Sequence, residues 1–302
     1  METFPDFNQP GFNINLYNKR FIESNVIIHA SSNSVAYAPH WGPLSVKCAF
    51  NGKEHYNVNN CEYAVNDTNY MVINEGNYYS SLIDSKTDVR SFTVNFSPLF
   101  INDFLQSWHE SDDTILLNFE NSKLTKQIDF IEKLYLHDDT VSPILFKLSN
   151  MSTDFVSNEI LIEELYFLLL ERLLIKRKDT INEIQQIHKV KTVTKIEIYK
   201  RLIKAKDYID SFYNRDISLS ELSKICLLNP AYLLRQFKNH FHITPRQYII
   251  QKRVEAAKKI LENDSQITIS NVCNEVGYDD LSSFSKLFKH FYKVSPEKFQ
   301  QQ

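Results

Sequence analysis

Glycine is scarce in this chain of 302 residues, with only five, and proline is limited to nine. Repetitive fibres need glycine in quantity and low-complexity chains tend to be rich in both, so neither class fits. Cysteine is as sparse. Cys48, Cys61, Cys226 and Cys273 stand far apart with no CxxC pair, which argues for reduced core residues rather than a disulfide framework. Long apolar runs are missing too. The most apolar stretch, LYFLLLERLLI, is broken by Glu171 and Arg172, so no membrane partner is expected, and METFPDFNQP lacks the basic and then apolar order of a secretory signal. No P-loop, GxGxxG, HExxH or Ser-His-Asp grouping occurs. The expectation is a cytoplasmic, non-enzymatic protein with no catalytic residue and no cofactor.

What is present is a globular composition, 43% hydrophobic and 24% charged, in a chain long enough for two domains. The net charge of −3 hides an asymmetry. From residue 186 onward there are 20 lysines and arginines against 12 acids, a balance of +8, whereas the first 185 residues carry 14 against 25, a balance of −11. A basic C-terminal third suits a polyanion; an acidic front part would be repelled by one and has another task.

Residues 44–96 read as short strands. Leu44 to Phe50 and Lys53 to Val58 flank Asn51-Gly52, a pair suited to a tight hairpin turn, so these two strands are expected to pair. Tyr63 and Val65, then Tyr70 to Asn74, a turn at Glu75-Gly76-Asn77, and alternating Phe92, Val94 and Phe96 extend an antiparallel sheet or barrel. After Ser97-Pro98 the apolar spacing turns helical, through Ile115 to Leu117, Ile128, Ile131 and Leu134, and then in a dense run from Phe155 to Ile175. Its apolar residues surround more than half the helix, which must be covered by the front domain or by a second subunit. Lys176 to Lys195 is polar and charged and reads as a connection.

Beyond it the chain repeats itself. FKNHFHITPRQY at 237–248 returns as FKHFYKVSPEKF at 288–299. Upstream, Ser218 with Glu221 forms a capping box, and Thr268 opens the matching helix. Turns at Leu227-Leu228 and Gly277-Tyr278 lead to new caps, Asn229 with Pro230 in one copy and Asp279 in the other. In the second helices Leu233, Phe237 and Phe241, and likewise Phe284, Phe288 and Tyr292, recur every four residues and define a buried face. Thr244-Pro245 and Ser295-Pro296 start third helices. Two helices joined by a short turn, the second bearing basic residues, is the helix-turn-helix pattern, written here twice.

With RVEAAKKIL between the copies and ITISNVCNEVGYDDLSSFSKLFKHFYKVSP in the second, residues 195–302 resemble the DNA-binding domain of AraC/XylS bacterial transcription regulators. The resemblance covers about a third of the chain. It implies an α+β protein: a cupin-like N-terminal β-barrel or sheet with helices at 1–185, a linker at 186–194, and an all-α domain at 195–302 whose two helix-turn-helix motifs are joined by a linker helix. The chain departs from the family at His242 and Lys293, where glycine is usual, and at Cys273, where alanine is frequent. By resemblance the base-reading positions are Ala231, Leu234 and Arg235 in the first motif and Leu281, Ser282, Ser285 and Lys286 in the second. Arg235 can grip guanine with two parallel hydrogen bonds, while Ala231 and Leu234 offer apolar contact to thymine. Lys238, Arg246, Lys252, Lys289 and Lys293 are phosphate candidates, and Arg253 is expected to pack or pair within the linker helix.

The implied partners are double-stranded DNA and RNA polymerase, with a small effector or a second copy of the chain at the front domain. Activation is the sign the resemblance favours. Trp41, Tyr56, Tyr63, Tyr78 and Phe92 are candidates to line an effector pocket, or else ordinary core. Control by a protein partner without any small ligand is the alternative. A metal-dependent cupin enzyme is the third reading, with His29, His40, Glu54 and His55 available; the His-x-His with a following Glu that resembles cupin metal sites is absent, and no metal is expected.

Overall fold

The computed structural model describes residues 11–109, 128–151, 159–185, 187 and 192–301. The chain divides into two units, Met1–Lys195 and Ile196–Gln302.

The front unit is built on one antiparallel sheet. Its strands are β1 (Val26–Trp41), β2 (Ser45–Phe50), β3 (Lys53–Val58), β4 (Cys61–Asn66), β5 (Asn69–Ile73), β6 (Tyr78–Asn95) and β7 (Leu134–Leu136). The order is β4-β3-β6-β2-β5-β7, with β1 also paired to β6. The 18-residue β6 makes this order possible. One of its edges runs along β1, from Val26 opposite Asn95 to Trp41 opposite Tyr78. The other is shared: Tyr79 to Leu82 pair with β3, and Arg90 to Asn95 pair with β2. The sheet curls into a nearly closed barrel, with β4 returning against β2 and β5.

Strand side chains alternate between faces, and both faces here are covered. Val46, Cys48, Phe50, Phe92, Val94 and Phe96 pack with helices α2 (Pro98–His109), α3 (Ser142–Asn150) and α4 (Glu159–Gln185). The intervening Ala49, with Tyr56, Val58, Tyr63, Met71, Tyr79 and Val89, fills the barrel. The all-round apolar helix is covered within this unit: Leu165, Tyr166, Leu169, Leu170, Leu173 and Leu174 are buried on α4, though Ile160 and Phe167 stay exposed. All four cysteines are free and buried.

Three sequence expectations fail here. Among the described residues the strands flanking Asn51-Gly52 form no ladder with each other. The turn does form, with Asn51 at φ 63° and Gly52 at φ 155°, but it delivers β2 and β3 to different halves of β6. The tight hairpin is β3–β4 instead, turned by Asn59 and Asn60 at φ 51° and 60°. The helical spacing through Ile128, Ile131 and Leu134 is also not a helix; Leu134 lies in β7, opposite Met71 of β5. A three-residue strand gives too few positions for its period to register. Third, the polar segment from Lys176 is not a connection throughout, because α4 continues to Gln185 and buries Thr180 and Ile184. Ile115 to Leu117 and Phe155 lie outside the described residues.

The second unit is helical: α5 (Thr192–Phe212), α6 (Leu219–Ile225), α7 (Pro230–Phe241), α8 (Pro245–Asn263), α9 (Ile269–Glu275), α10 (Leu281–Tyr292) and α11 (Pro296–Gln300). Side-chain oxygens of Ser218, Asn229, Thr244, Thr268 and Ser295 accept backbone N–H groups at helix starts, as the sequence predicts. The cap of α10 is corrected from Asp279 to Asp280, which accepts from Ser282 N and Ser283 N. Leu233 and Phe237, like Phe284 and Phe288, are fully buried. Tyr248 and Phe299 return to Phe237 and Phe288, with ring centroids 6.0 and 5.5 Å apart.

Candidate functional site

α7 and α10 are the second helices of the two helix-turn-helix motifs, and each shows solvent the stripe its buried stripe leaves over. On α7, Ala231, Leu234, Arg235 and Lys238 are exposed at spacings of three and four; on α10, Leu281, Ser282, Lys286 and Lys289 are exposed and Ser285 is half-buried. The candidate base-reading side chains of each motif thus share one helix face. The Arg235 guanidinium carbon lies 5.3 Å from the centre of the Tyr232 ring, which supports the side chain against the helix.

The two helix starts differ electrostatically. α7 opens on neutral Asn229, whose Oδ1 accepts from Ala231 N at 3.0 Å. α10 opens on an acid. Hydrogen bonds from the Ser283 side chain and backbone and from Ser282 N hold the Asp280 carboxyl below its ordinary range, so it is ionised. The negative charge at that end repels an anion, which the neutral amide of Asn229 does not.

Of the phosphate candidates, Lys238, Arg246, Lys289 and Lys293 are exposed. Lys252 is placed differently: its Nζ lies 3.2 Å from Asp210 Oδ1, and Asp210 also binds Lys206 at 2.6 Å and the Tyr248 hydroxyl at 2.7 Å. An ammonium held in that network serves the join of α5 to α8. His242 and Lys293, standing where the family's glycines would, adopt φ 63° and 66° and close their helices in the left-handed conformation. The same backbone strain occurs at a leucine. Leu227, in the turn of the first motif, has φ 52° and is 75% exposed, while the equivalent turn of the second motif has Gly277 at φ 85°.

Arg253 is buried and ties the unit together. It donates from Nε to Tyr213 O at 2.7 Å, from Nη1 to Gly277 O at 2.6 Å and from Nη2 to Arg215 O at 2.9 Å. Three backbone carbonyls, two beyond α5 and one in the second turn, converge on one planar cation from α8.

The barrel contains a small pocket of about 70 Å³ that opens to solvent. Of the five aromatic candidates, Trp41 and Tyr56 line it. Tyr63 and Phe92 are buried in the cores beside it, and Tyr78 is 64% exposed. Sequence reasoning missed Lys47, Tyr79, Ser81, Ser91, Thr93 and Asn95, which also line it, and took Glu54 for a metal candidate. One signal was available: a lysine inside the otherwise apolar strand SVKCAF. Lys47 Nζ donates to the Tyr79 hydroxyl at 2.8 Å. Burial pulls its pKa down to about 8, against the opposing pull of Glu54. Burial pushes the Glu54 carboxyl up, opposed chiefly by hydrogen bonds from Ser91 and Tyr56. His29, His40 and His55 are held below the ordinary histidine range, burial being the main cause. Among the described residues no three His, Cys, Asp or Glu side chains gather as metal ligands, and no helix is long and apolar enough to cross a membrane.

Residues 222–302 match the model of a helix-turn-helix domain. The Msm operon regulatory protein of Streptococcus mutans is 24% identical over 266 residues, 82% of this chain and 92% of that protein. The probable transcriptional regulator LumQ of Photobacterium leiognathi is 34% identical over 94 residues, 31% of this chain but only 38% of that protein. The lactose operon transcription activator of Staphylococcus xylosus is 23% identical over 215 residues, 70% of this chain and 72% of that protein. Duplicated motif, barrel and relatives together define a helix-turn-helix transcription regulator. Over its C-terminal third the chain is similar to the AraC/XylS regulators.

Proposed function

We propose that the protein is a sequence-specific transcriptional activator whose two helix-turn-helix motifs enter successive major-groove segments on one DNA face, about 34 Å apart. The observation that carries this reading is the pair of exposed stripes on α7 and α10, each standing over a buried aromatic stripe. Arg235 is the principal base reader, worth about 1–3 kcal/mol of discrimination through paired bonds to guanine O6 and N7. Ala231, Leu234 and Leu281 touch thymine methyls; Ser282, Ser285 and Lys286 bond base edges. Lys238, Arg246, Lys289 and Lys293 bind phosphates and set the salt dependence. Lys252, occupied by Asp210, is left out of this set.

The front unit regulates this activity, answering a small effector or a second copy of the chain, and RNA polymerase is the partner through which activation acts. The role of one relative, a lactose operon transcription activator, supports activation. A cytoplasmic location follows from those partners. The barrel pocket favours a small effector over control by a protein partner alone.

Selection from a random duplex library at moderate salt tests the DNA reading. The full chain enriches a motif with an invariant guanine, and Arg235→Ala loses the preference at that position while keeping the rest. Equal recovery of all sequences by the folded protein would overturn it.

A further inference from the structure

Strand periodicity sets an amine and a carboxyl group inside the barrel. Lys47 of β2 and Glu54 of β3 both line the pocket, and they are 5% and 2% exposed. Burying an ammonium and a carboxylate is costly, and a sheet that needed only a core would hold apolar side chains there. Each meets a neutral partner. Lys47 Nζ donates to the Tyr79 hydroxyl at 2.8 Å, and Glu54 accepts from Ser91 and Tyr56. Surroundings of low polarity favour the uncharged form of both groups, an amine and a carboxylic acid. That is the proton arrangement in which a lysine attacks a carbonyl carbon and a neighbouring acid expels the resulting hydroxyl. Burial brings the Lys47 ammonium down to about 8, so free amine is available near neutral pH, where an exposed lysine has very little. His40, Tyr17 and Tyr37 also line the pocket. Burial holds His40 below the ordinary histidine range, so it adds no second cation.

We propose that Lys47 is a covalent modification site, a lysine that condenses with a small aldehyde or ketone to form a Schiff base. The pocket has room for several water-sized groups and opens to solvent, which suits a carbonyl compound of a few non-hydrogen atoms and gives the released water a way out. The N–H bond to Tyr79 leaves the lone pair of the neutral amine free, and Tyr79 is a positioning residue. The lone pair adds to the carbonyl carbon, the C–N bond forms, the C=O π pair moves to oxygen, and one proton passes from nitrogen to that oxygen. A neutral carbinolamine results. Protonated Glu54 then gives its proton to the hydroxyl, the C–O bond breaks, water departs, and the nitrogen pair closes the C=N bond. One amine, one carbonyl and one carboxylic acid become one iminium, one water and one carboxylate, with no oxidant or reductant consumed. The product is held electrostatically, because the iminium cation and the Glu54 carboxylate share a cavity of low polarity. This chemistry goes beyond the regulator reading and does not rest on it.

The test is reductive trapping of the full chain with propionaldehyde and sodium cyanoborohydride near neutral pH, followed by mass spectrometry of its peptides. The hydride reagent converts an imine into a stable secondary amine and so leaves a propyl group on the lysine that formed it. Lys47 is labelled about tenfold faster or more than exposed Lys238 and Lys289. The excess shrinks as pH rises into the ordinary lysine range, and it disappears when the chain is unfolded in urea. Glu54→Gln, its folding checked by circular dichroism, slows labelling of Lys47 by about tenfold or more and leaves Lys238 unchanged. Labelling confined to exposed lysines, or equal at Lys47 and Lys238 in the folded chain, overturns the site. Undiminished labelling of Lys47 in folded Glu54→Gln overturns the role of the acid. Where that variant does not fold, the wild-type rates at Lys47 and Lys238, folded against unfolded, decide the matter.

Discussion

The two helix-turn-helix motifs are built to one plan and finished differently. α6 and α7 are joined through Leu227 in the left-handed conformation, α9 and α10 through Gly277, which takes the same region of backbone without a Cβ to strain it. Leu227 tolerates the position because its side chain is out in solvent. Gly277 has no such freedom, since a Cβ there would run into the backbone of Asn214. Their reading faces differ as well. The first carries Arg235 behind a neutral cap; the second carries Ser282, Ser285 and Lys286 behind ionised Asp280. Small hydroxyls and a lysine specify bases less sharply than a guanidinium fork. The second motif is locked tightly to its neighbour through Gly277 and Arg253, and the first carries Arg235, the candidate base reader with a guanidinium.

Substitutions that break this contrast are ranked by size. Gly277→Val forces a branched side chain into both a left-handed backbone and the Asn214 contact, and costs on the order of 3 kcal/mol in urea unfolding of the full chain. Arg235→Ala weakens the selected duplex by about 1–3 kcal/mol in fluorescence anisotropy, and Ser285→Ala by less, if the first motif dominates readout. An equal or larger loss at Ser285 would reverse the assignment. Lys238→Gln and Lys289→Gln each lower the slope of log K against log salt by about 1, with no change in the selected motif. Leu227→Gly gives the smallest effect and the opposite sign. Relief of roughly 1–2 kcal/mol of backbone strain is partly offset by the greater freedom of glycine in the unfolded chain, leaving a net gain of about 0.5–1 kcal/mol by the same unfolding assay.

The helical third of the fold was legible in the sequence because its signals are local. A cap, a proline at the first helical position and an aromatic every fourth residue all fall within a dozen residues, and five of the six caps expected there stand where the sequence puts them; only Asp279 gives way to Asp280. The barrel was legible in kind but not in pairing. β1, with SSNSVAYAPH, and the first half of β6, with SSLIDSKTD, are too polar and too long to stand out as strands, yet they pair with each other along most of their length. That pairing joins residues some 40 to 70 positions apart, and no local pattern encodes it. The same is true of the pocket. Lys47, Glu54, Ser81 and Thr93 are unremarkable one by one, and only the register of three strands on β6 brings them to one cavity. α1 (Ile14–Glu23), which supplies Tyr17 and Phe21 to that cavity, also went unread, although Asn13 caps its start and Ile14, Tyr17 and Phe21 recur at helical spacing.

The central claim is that one chain presents two reading helices to two neighbouring grooves. Hydroxyl-radical footprinting of the full chain on its selected duplex measures this directly. The account predicts two protected segments one helical turn apart on the same DNA face, with Arg235→Ala losing protection mainly at one of them. Protection of a single segment by the wild-type chain, at concentrations that saturate the duplex, would contradict it.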